Sequence, residues 1–401
     1  MRRPLLLLVV LAAGLAGPVA SADARRVVPG GFFGTVLDGP MQESGFGLRG
    51  ETAQMSRSGV ESVRFSAYWH VAQPYASFAA VPENERGRYR NEGGVPTYWF
   101  DIDRMVRAAA QRGLRSMPTI LNPPIWGRQY RDRRGSPPVP ESYARFAALL
   151  VRRYGPRGAF WAENPILRKV PVRDWQLLNE VNHTFYWNVP GSDPNNIDNT
   201  ASAPGYVNLL RVTRAAIKSV DGRARIVHAG TDSKAWLYLR AIYRAGGRRL
   251  FDVFAVHPFT DTPHNVITIL RYVRRAMNRA GDRRKPMLVS EWSWPSARGH
   301  AADPGHLSRT TRGQATAITQ TQKLFVRWRR RLRLSNAYYY NWLSEPIAGV
   351  RFTFAGLRSL DSRNRVSRKP AQSAYARSSL AYEGCRRKSS RSATRCLRRR
   401  R

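Results

Sequence analysis

Residues 172–180, VRDWQLLNE, are the part of this 401-residue chain that decides the fold. Trp175, Leu177 and Leu178 form an apolar run, which favours a strand that is buried on both faces, as in a parallel sheet. Asn179 and Glu180 follow this run directly. An unpaired carboxylate inside an apolar core is strongly disfavoured. We therefore expect the core to end where the apolar run ends, with Glu180 at the open end of a sheet.

Seven further β-rich runs occur along the chain, and segments with helical periodicity lie between them. This alternation is typical of parallel strands joined by crossover helices. The runs are FFGTVLD (32–38), VESVRFSAYW (60–69), LRSMPTIL (114–121), ARIVHAGT (224–231), FDVFAVHPF (251–259), PMLVSEWSW (286–294) and LSNAYYYNWL (334–343). Eight strand–helix pairs in about 350 residues predict an α/β fold with a single (β/α)8 TIM barrel. A doubly wound sheet would have fewer strands and a glycine-rich phosphate turn, and no G-x-G-x-x-G follows any of these strands.

The N-terminus has the features of a secretory signal peptide, which we assign to residues 1–24. Two arginines, an apolar stretch from Leu5 to Ala16 and the small-x-small cleavage site Ala20-Ser21-Ala22 follow one another there. An uncleaved membrane anchor is the alternative, but the apolar stretch is short for a span. No other segment reaches about 18 apolar residues, so we expect no transmembrane segment after signal removal. The mature chain is predicted to be a secreted monomer, either extracellular or associated with the cell envelope.

The rest of the chain divides into a barrel domain, residues 25–384, and a basic tail, residues 385–401. The tail holds Cys385 and Cys396, the two cysteines of the sequence, and an exported protein can keep a disulfide between them. The tail also carries nine Lys or Arg and no acid. An anionic polymer of the cell envelope is therefore a candidate partner for the tail, through long-range electrostatic attraction.

The net charge of +40 raises the question of nucleic acid. The sequence contains no zinc finger, no RNP-type strand and no basic helix with interleaved aromatic residues, which are the elements that read nucleic acids. The positive charge is spread over the chain, and with only seven lysines among 67 basic residues the excess is one of arginine. Such an excess of arginine over lysine more often reflects the composition of the genome than a binding function. We therefore expect no specific nucleic-acid partner.

Two glutamates follow predicted strands on opposite sides of the barrel. Glu180 ends strand four and Glu291 ends strand seven. The C-terminal ends of barrel strands meet at one face, where active sites are built. A single glutamate in such a place could equally serve as a helix cap or an ion-pair partner. Two carboxyl groups about 5–5.5 Å apart are the arrangement that retaining glycoside hydrolysis requires, with one as nucleophile and the other as acid and then base.

With these residues in view, the chain resembles the superfamily of retaining glycoside hydrolases built on TIM barrels, which includes cellulases, mannanases, β-xylosidases and α-iduronidases. The resemblance extends over about residues 32–384. It implies that Glu180, in the Asn-Glu pair after strand four, is the acid/base and that Glu291 is the nucleophile. It also implies that Asn179 holds the sugar 2-hydroxyl.

Three further substrate-binding residues follow from the same resemblance. They are an arginine on strand two, a histidine on strand six and a tryptophan on strand eight that stacks beneath the sugar: Arg64, His257 and Trp342. In the family a tyrosine two residues after the strand-six histidine supports the nucleophile, and here that residue is Phe259. We therefore expect the missing hydrogen bond to come from Tyr339 or Tyr340.

Aromatic residues just past the strand ends are candidates for sugar subsites, because sugar rings stack on aromatic faces. We expect Trp187 and Trp292 to serve in this way beside Trp342, although ordinary packing in the barrel is the alternative for each of them. His257 and His264 flank Asp261, but no third ligand is evident, so we predict neither a metal nor a cofactor.

The sequence as a whole predicts an exported retaining glycosidase that acts on O-glycosidic bonds of an oligo- or polysaccharide. A noncatalytic glycan-binding barrel, held at the envelope by its basic tail, is the alternative. Phe259 favours that alternative, and the presence of both glutamates opposes it.

Overall fold

The computed structural model describes residues 25–193, 195–196, 198–232, 234–386 and 395–396. The signal peptide assigned to residues 1–24 and most of the tail lie outside these ranges. Within them, no helix is both long enough and apolar enough to cross a bilayer.

Eight parallel strands form the centre of the molecule, and each matches one of the runs predicted from the sequence. They are β1 (Phe33–Leu37), β2 (Ser62–Tyr68), β3 (Arg115–Leu121), β4 (Asp174–Leu177), β5 (Arg225–Val227), β6 (Phe254–Val256), β7 (Met287–Trp292) and β8 (Leu334–Tyr339). Neighbours in the sheet follow the order β5-β4-β3-β2-β1-β8-β7-β6. Isolated parallel bridges, Val227 with Val253 and Thr231 with Val256, join the two outer strands. The predicted single (β/α)8 barrel is confirmed.

One long helix follows each strand of the barrel. The helices are α1 (Leu48–Arg57), α2 (Phe100–Gln111), α3 (Pro140–Tyr154), α4 (Ala203–Val220), α5 (Ala235–Arg244), α6 (Pro263–Arg279), α7 (Thr311–Leu332) and α8 (Pro370–Tyr382). Their sequences bury one face at helical spacing, as with Ile102, Met105, Val106 and Ala109 of α2. The side chain of Thr262 caps α6 by accepting a hydrogen bond from the N–H of Asn265.

Smaller elements lie in the loops and in the tail. Two short helices span Trp69–Ala72 and Ala159–Glu163. A hairpin pairs Arg90–Glu92 with Val95–Thr97 after β2, and a three-stranded sheet of Leu343–Ser344, Arg358–Leu360 and Val366–Arg368 follows β8. In the tail, Cys385–Arg386 pairs antiparallel with Arg395–Cys396, so that Cys385 lies opposite Cys396. This register is compatible with the predicted disulfide.

Apolar side chains from several strands pack together inside the barrel. Val36, Met117, Val227, Leu288 and Tyr338 come from five different strands and contact one another as one buried cluster. Arg64 of β2 pairs in register with both Val36 and Met117. Arg64 therefore lies beside this apolar cluster, and the polar residues of the candidate site adjoin it there.

Candidate active site

The backbone leaves the strand conformation immediately after β4. Leu178 and Glu180 have positive φ values, 65° and 38°, which non-glycine residues seldom adopt. The N–H of Glu180 donates to the carbonyl oxygens of Ala229 and Gly230, at 3.2 and 2.9 Å. These bonds hold the turn, since an unfavourable backbone conformation persists only where its surroundings fix it. The Glu180 side chain is thereby fixed at the end of β4, where it reaches His257.

Arg64 connects three strands at the C-terminal end of the barrel. Its Nη1 donates to Oε1 of Glu291 at 2.7 Å, and its Nη2 donates to Oδ1 of Asn179 at 2.7 Å. Its Nε donates to Oε1 of Gln176 at 2.6 Å. All four side chains are buried. The guanidinium group therefore fixes Glu291 and Asn179 relative to each other.

Glu180 and Glu291 approach each other on either side of His257. One carboxylate oxygen from each glutamate and one ring nitrogen of His257 all lie within 4.8 Å of one another. Nδ1 of His257 shares a hydrogen bond of 2.6 Å with Oε1 of Glu180, and its Nε2 lies 3.8 Å from Oε1 of Glu291. The structure thus brings carboxylate oxygens of the two glutamates predicted to be catalytic within 4.8 Å of each other. These three groups could also ligate a metal, but Arg64 already provides a positive charge at Oε1 of Glu291.

The two carboxyl groups have different electrostatic surroundings. Burial, assisted by the negative charge of Asp232, raises the pKa of Glu180 to about 8. Burial also raises the pKa of Glu291, but there His257 and Arg64 oppose it. Burial lowers the pKa of His257 to about 4, so the imidazole is neutral at pH 7. At that pH Glu180 therefore carries a proton, which it can donate.

Asp232 is a functional candidate that the sequence analysis missed. It follows β5, accepts a hydrogen bond from Nδ2 of Asn182 at 2.8 Å and lies 2.8 Å from Nε2 of His183. Burial alone would raise the pKa of Asp232, but the hydrogen bonds and charge of its partners His183 and Asn182 outweigh burial, and the pKa is lowered. The signal was an acid directly after the fifth strand run, the same position that drew attention to Glu180.

The three tryptophans predicted to stack on sugar lie in the core instead. Trp187, Trp292 and Trp342 are 3%, 1% and 0% exposed. Trp292 packs edge-on against Phe325 of α7, and Nε1 of Trp342 donates to Oε2 of Glu51 at 2.7 Å. A buried ring offers no free face to a ligand, so the structure does not bring these residues to the site.

Trp187 is covered by the first turn of α4. Its ring packs edge-on against Tyr206, and a Cβ placed on Gly205 would lie 2.8 Å from it. Tyr186 and Tyr340 lie near enough for the charge of Glu291 to act on both hydroxyl groups. The charges of Glu180 and Glu291 act on Tyr186, whose hydroxyl pKa is raised mainly by burial.

The hydrogen bond to Glu291 that was expected from Tyr339 or Tyr340 comes from Arg64 instead. The hydroxyl of Tyr339 donates to the carbonyl of Ala355 at 2.9 Å. The hydroxyl of Tyr340 donates to Oδ2 of Asp38 at 2.7 Å. Asp38, at the end of β1, is thus a further site residue that the sequence analysis did not identify.

Phe259 occupies the position where the family has a tyrosine. Its ring contacts His257 edge-on, with the ring centroids 6.2 Å apart, and contacts Phe352 on its other side. Phe259 therefore contributes apolar packing to His257 and no hydrogen bond to either glutamate.

The fold is similar to those of solved glycoside hydrolases. A family 39 glycoside hydrolase from the gut symbiont Bacteroides cellulosilyticus WH2 matches with a TM-score of 0.60 and 18% identity, over 89% of this chain and 64% of that one. A monomeric β-xylosidase from Caulobacter crescentus CB15 matches with a TM-score of 0.54 and 18% identity, over 88% of this chain and 68% of that one. The GH53 catalytic domain of Ignisphaera aggregans matches with a TM-score of 0.53 and 16% identity, over 90% and 98%.

These similarities concern the fold, because the identities are low. This chain spans less than two thirds of the family 39 enzyme. No protein-family model matches the sequence, and no curated protein matches it either. The predicted resemblance to TIM-barrel glycoside hydrolases is thus confirmed at the level of the fold.

Proposed function

We propose that this chain is an exported retaining glycoside hydrolase that cleaves an O-glycosidic bond of an oligo- or polysaccharide. The observation that carries the proposal is the close pair of Glu180 and Glu291 in unlike surroundings. One carboxyl group is raised to a pKa of about 8 by burial, and the other is ion-paired with Arg64 at 2.7 Å. Two carboxyl groups whose environments separate their pKa values are typical of an acid paired with a nucleophile.

In the first step, a carboxylate oxygen of Glu291 attacks the anomeric carbon of the sugar. The bond between that carbon and the leaving oxygen breaks, and Glu180 transfers its proton to this oxygen. The products are a free alcohol and a sugar joined to Glu291 through an ester bond. Glu180 is then a carboxylate.

In the second step, Glu180 takes a proton from a water molecule as the water oxygen attacks the same anomeric carbon. The ester bond to Glu291 breaks, and the carboxylate of Glu291 returns. The sugar leaves with its original anomeric configuration after two inversions. Glu180 again carries its proton, so the chain is ready for another cycle.

The residues around the pair position it for this chemistry. Arg64 hydrogen-bonds Glu291 and Asn179 through separate nitrogens, which directs the Asn179 amide beside the nucleophile for the sugar 2-hydroxyl. The neutral imidazole of His257 holds the Glu180 carboxyl group by its 2.6 Å hydrogen bond. Both residues act by orienting the glutamates before the substrate binds.

The proposal is tested by Glu180→Gln and Glu291→Gln variants with aryl glycosides of graded leaving-group ability. Loss of the acid should lower kcat by about 10²- to 10⁴-fold for poor leaving groups, because proton donation contributes about that much. The loss should be much smaller for activated leaving groups, which depart without a proton. Glu141→Gln, a change at an exposed glutamate in the first turn of α3, is the matched control.

A fluorosugar should form a covalent adduct on Glu291, detectable by peptide mass spectrometry. Unchanged hydrolysis in both active-site variants would refute the proposal. Glycan binding without turnover in the unmodified protein would identify the noncatalytic glycan-binding barrel instead.

We further propose that the chain is exported and that its tail associates with an anionic polymer of the cell envelope. The N-terminal sequence pattern and the nine positive charges of residues 385–401 support this. N-terminal sequencing of the mature protein recovered from culture fractions tests the export, which predicts a first residue near Arg25.

A further inference from the structure

A small cavity opens beside the predicted acid/base, and the charged residues that line it are all basic. It has a volume of about 240 Å³ and reaches Asn179 and Tyr186 of the candidate site. Arg128 and Arg134 line it, together with His70 and neutral residues, and no Asp or Glu lines it. A ligand that enters this cavity therefore meets two guanidinium groups without a competing carboxylate from the protein.

Arg128 is held in place while part of its guanidinium group stays available. The residue is half-buried, and its backbone forms a β-bridge with Pro138. Its Nε donates to the carbonyl of Pro123 at 3.2 Å. Among the described residues Arg128 makes no ion pair, so its terminal nitrogens remain as donors for a ligand.

Arg134 belongs to the same loop as Arg128 and also lines the cavity. Its guanidinium group lies over the ring of Phe185, 5.8 Å from the ring centroid. Its carbonyl accepts a hydrogen bond from Nδ2 of Asn188 at 3.1 Å. Arg134 likewise has no carboxylate partner within the ranges that the structure describes.

The loop after β3, which carries both arginines, packs closely against the loop after β4. Gly135 has a φ of 76°, and a Cβ placed on it would lie 2.3 Å from the carbonyl oxygen of Phe185. The N–H of Asn188 donates to the carbonyl of Gly135 at 2.9 Å. The loop after β3 and the loop after β4 thus form one wall, which fixes the two arginines relative to Asn179.

We propose that this cavity binds a sugar unit that carries a carboxylate, so that the substrate contains a uronic acid. A planar carboxylate accepts two parallel hydrogen bonds from a guanidinium group, and such charge-assisted bonds are stronger than those to hydroxyl groups. A neutral sugar would leave both arginines without an anionic partner. This inference rests on the proposed function, because it names the substrate class of the same site.

The first test measures binding to the Glu291→Gln variant, which retains the cavity and cannot form the covalent intermediate. The probes are uronic-acid oligosaccharides and the same oligosaccharides after chemical reduction of their carboxyl groups. Isothermal titration calorimetry should show at least about tenfold tighter binding of the carboxylated form for one or more of the series. Equal binding of both forms throughout would overturn the inference.

The second test assigns the preference to the cavity. Arg128→Gln and Arg134→Gln should each reduce the preference for the carboxylated form severalfold and leave the affinity for the reduced form nearly unchanged. Arg131→Gln is the control, because Arg131 is an exposed arginine of the same loop that does not line the cavity. An equal effect of all three changes would indicate general attraction to a basic surface and would overturn the inference.

The experiments separate this inference from the proposed function. Selective binding of the carboxylated form without hydrolysis by the unmodified protein would uphold the cavity assignment and refute the glycosidase. Hydrolysis that favours neutral glycosides would uphold the glycosidase and refute the cavity assignment. Tighter binding of a sulfated analogue that lacks carboxyl groups would also overturn the choice of a uronic acid.

Discussion

At the scale of single residues, the candidate site depends on how its charges are distributed. Glu180 lies near Asp232, and the negative charge of Asp232 disfavours the ionised form of Glu180. Glu291 lies against Arg64, and the positive charge of Arg64 favours the ionised form of Glu291. The two neighbours therefore push the two pKa values in the directions that an acid and a nucleophile need.

The pH dependence of kcat/KM should reflect this arrangement. Activity should fall as the pH rises through about 8, because the Glu180 carboxyl group then loses the proton that it donates. In Asp232→Asn the raising influence is removed, so the pKa of Glu180 falls and the alkaline limb should move to lower pH. Asp361→Asn, in an exposed turn, should leave the limb in place. An alkaline limb unchanged by Asp232→Asn would contradict the proposed coupling.

Replacing Arg64 should affect both stability and activity. Arg64→Met leaves the buried Glu291 carboxylate without its partner, and breaking a buried ion pair in this way destabilises a protein by about 3–5 kcal/mol. It should also raise the pKa of Glu291, since Arg64 lowers it, and so move the acidic limb of kcat/KM to higher pH. Urea unfolding and pH profiles measure the two effects. Arg90→Met, in an exposed ion pair with Glu163, should cost no more than about 1 kcal/mol.

At the scale of elements, the sequence was sufficient to locate all eight strands and both glutamates. The buried position of Trp292 could have been predicted from the sequence, because successive side chains of a strand face opposite sides of the sheet. Since Glu291 faces the site, the next residue of the same strand must face the helices. Trp342 could not be placed in this way. Strand β8 ends at Tyr339, and side chains beyond a strand end no longer alternate. The orientation of Trp342 and Tyr340 therefore depends on loop geometry that has no periodic signal.

The turn after β5 offers a test of how closely the elements fit. Gly230 has a φ of 73°, and a Cβ there would lie 2.5 Å from Nε2 of His257. Gly230→Ala should displace His257 and lower kcat/KM by tenfold or more. Gly191→Ala is the matched control, because Gly191 has a φ of 77° and nothing lies within 4 Å of the added Cβ. Both changes impose left-handed strain of about 1–2 kcal/mol. Gly230→Ala adds the steric cost of displacing buried His257, and the loss of activity is expected for Gly230→Ala alone.

At the scale of the whole molecule, the barrel is completed before the basic tail begins. Helix α8 ends at Tyr382, whose carbonyl accepts a hydrogen bond from the N–H of Val27, so the barrel is complete before Cys385. Removal of residues 385–401 should therefore preserve Tm and the hydrolysis of small glycosides.

The same truncation should abolish a salt-sensitive attachment to anionic polymers, because it removes nine positive charges. Cosedimentation with isolated cell envelopes across a salt series measures this. A truncated protein that still attaches with the same salt dependence would show that the barrel surface, and not the tail, makes the contact.

The contacts of Arg64 have a consequence for how such a protein can diverge. One guanidinium group connects Gln176, Asn179 and Glu291, so a substitution at any of these positions disturbs the others. Arg128 and Arg134, in the loop after β3, make no contact with these residues among those described, and each has its own packing partners. New sugar preferences are therefore expected to arise by exchange of loop residues, while the strand ends stay the same between descendants that act on different glycans.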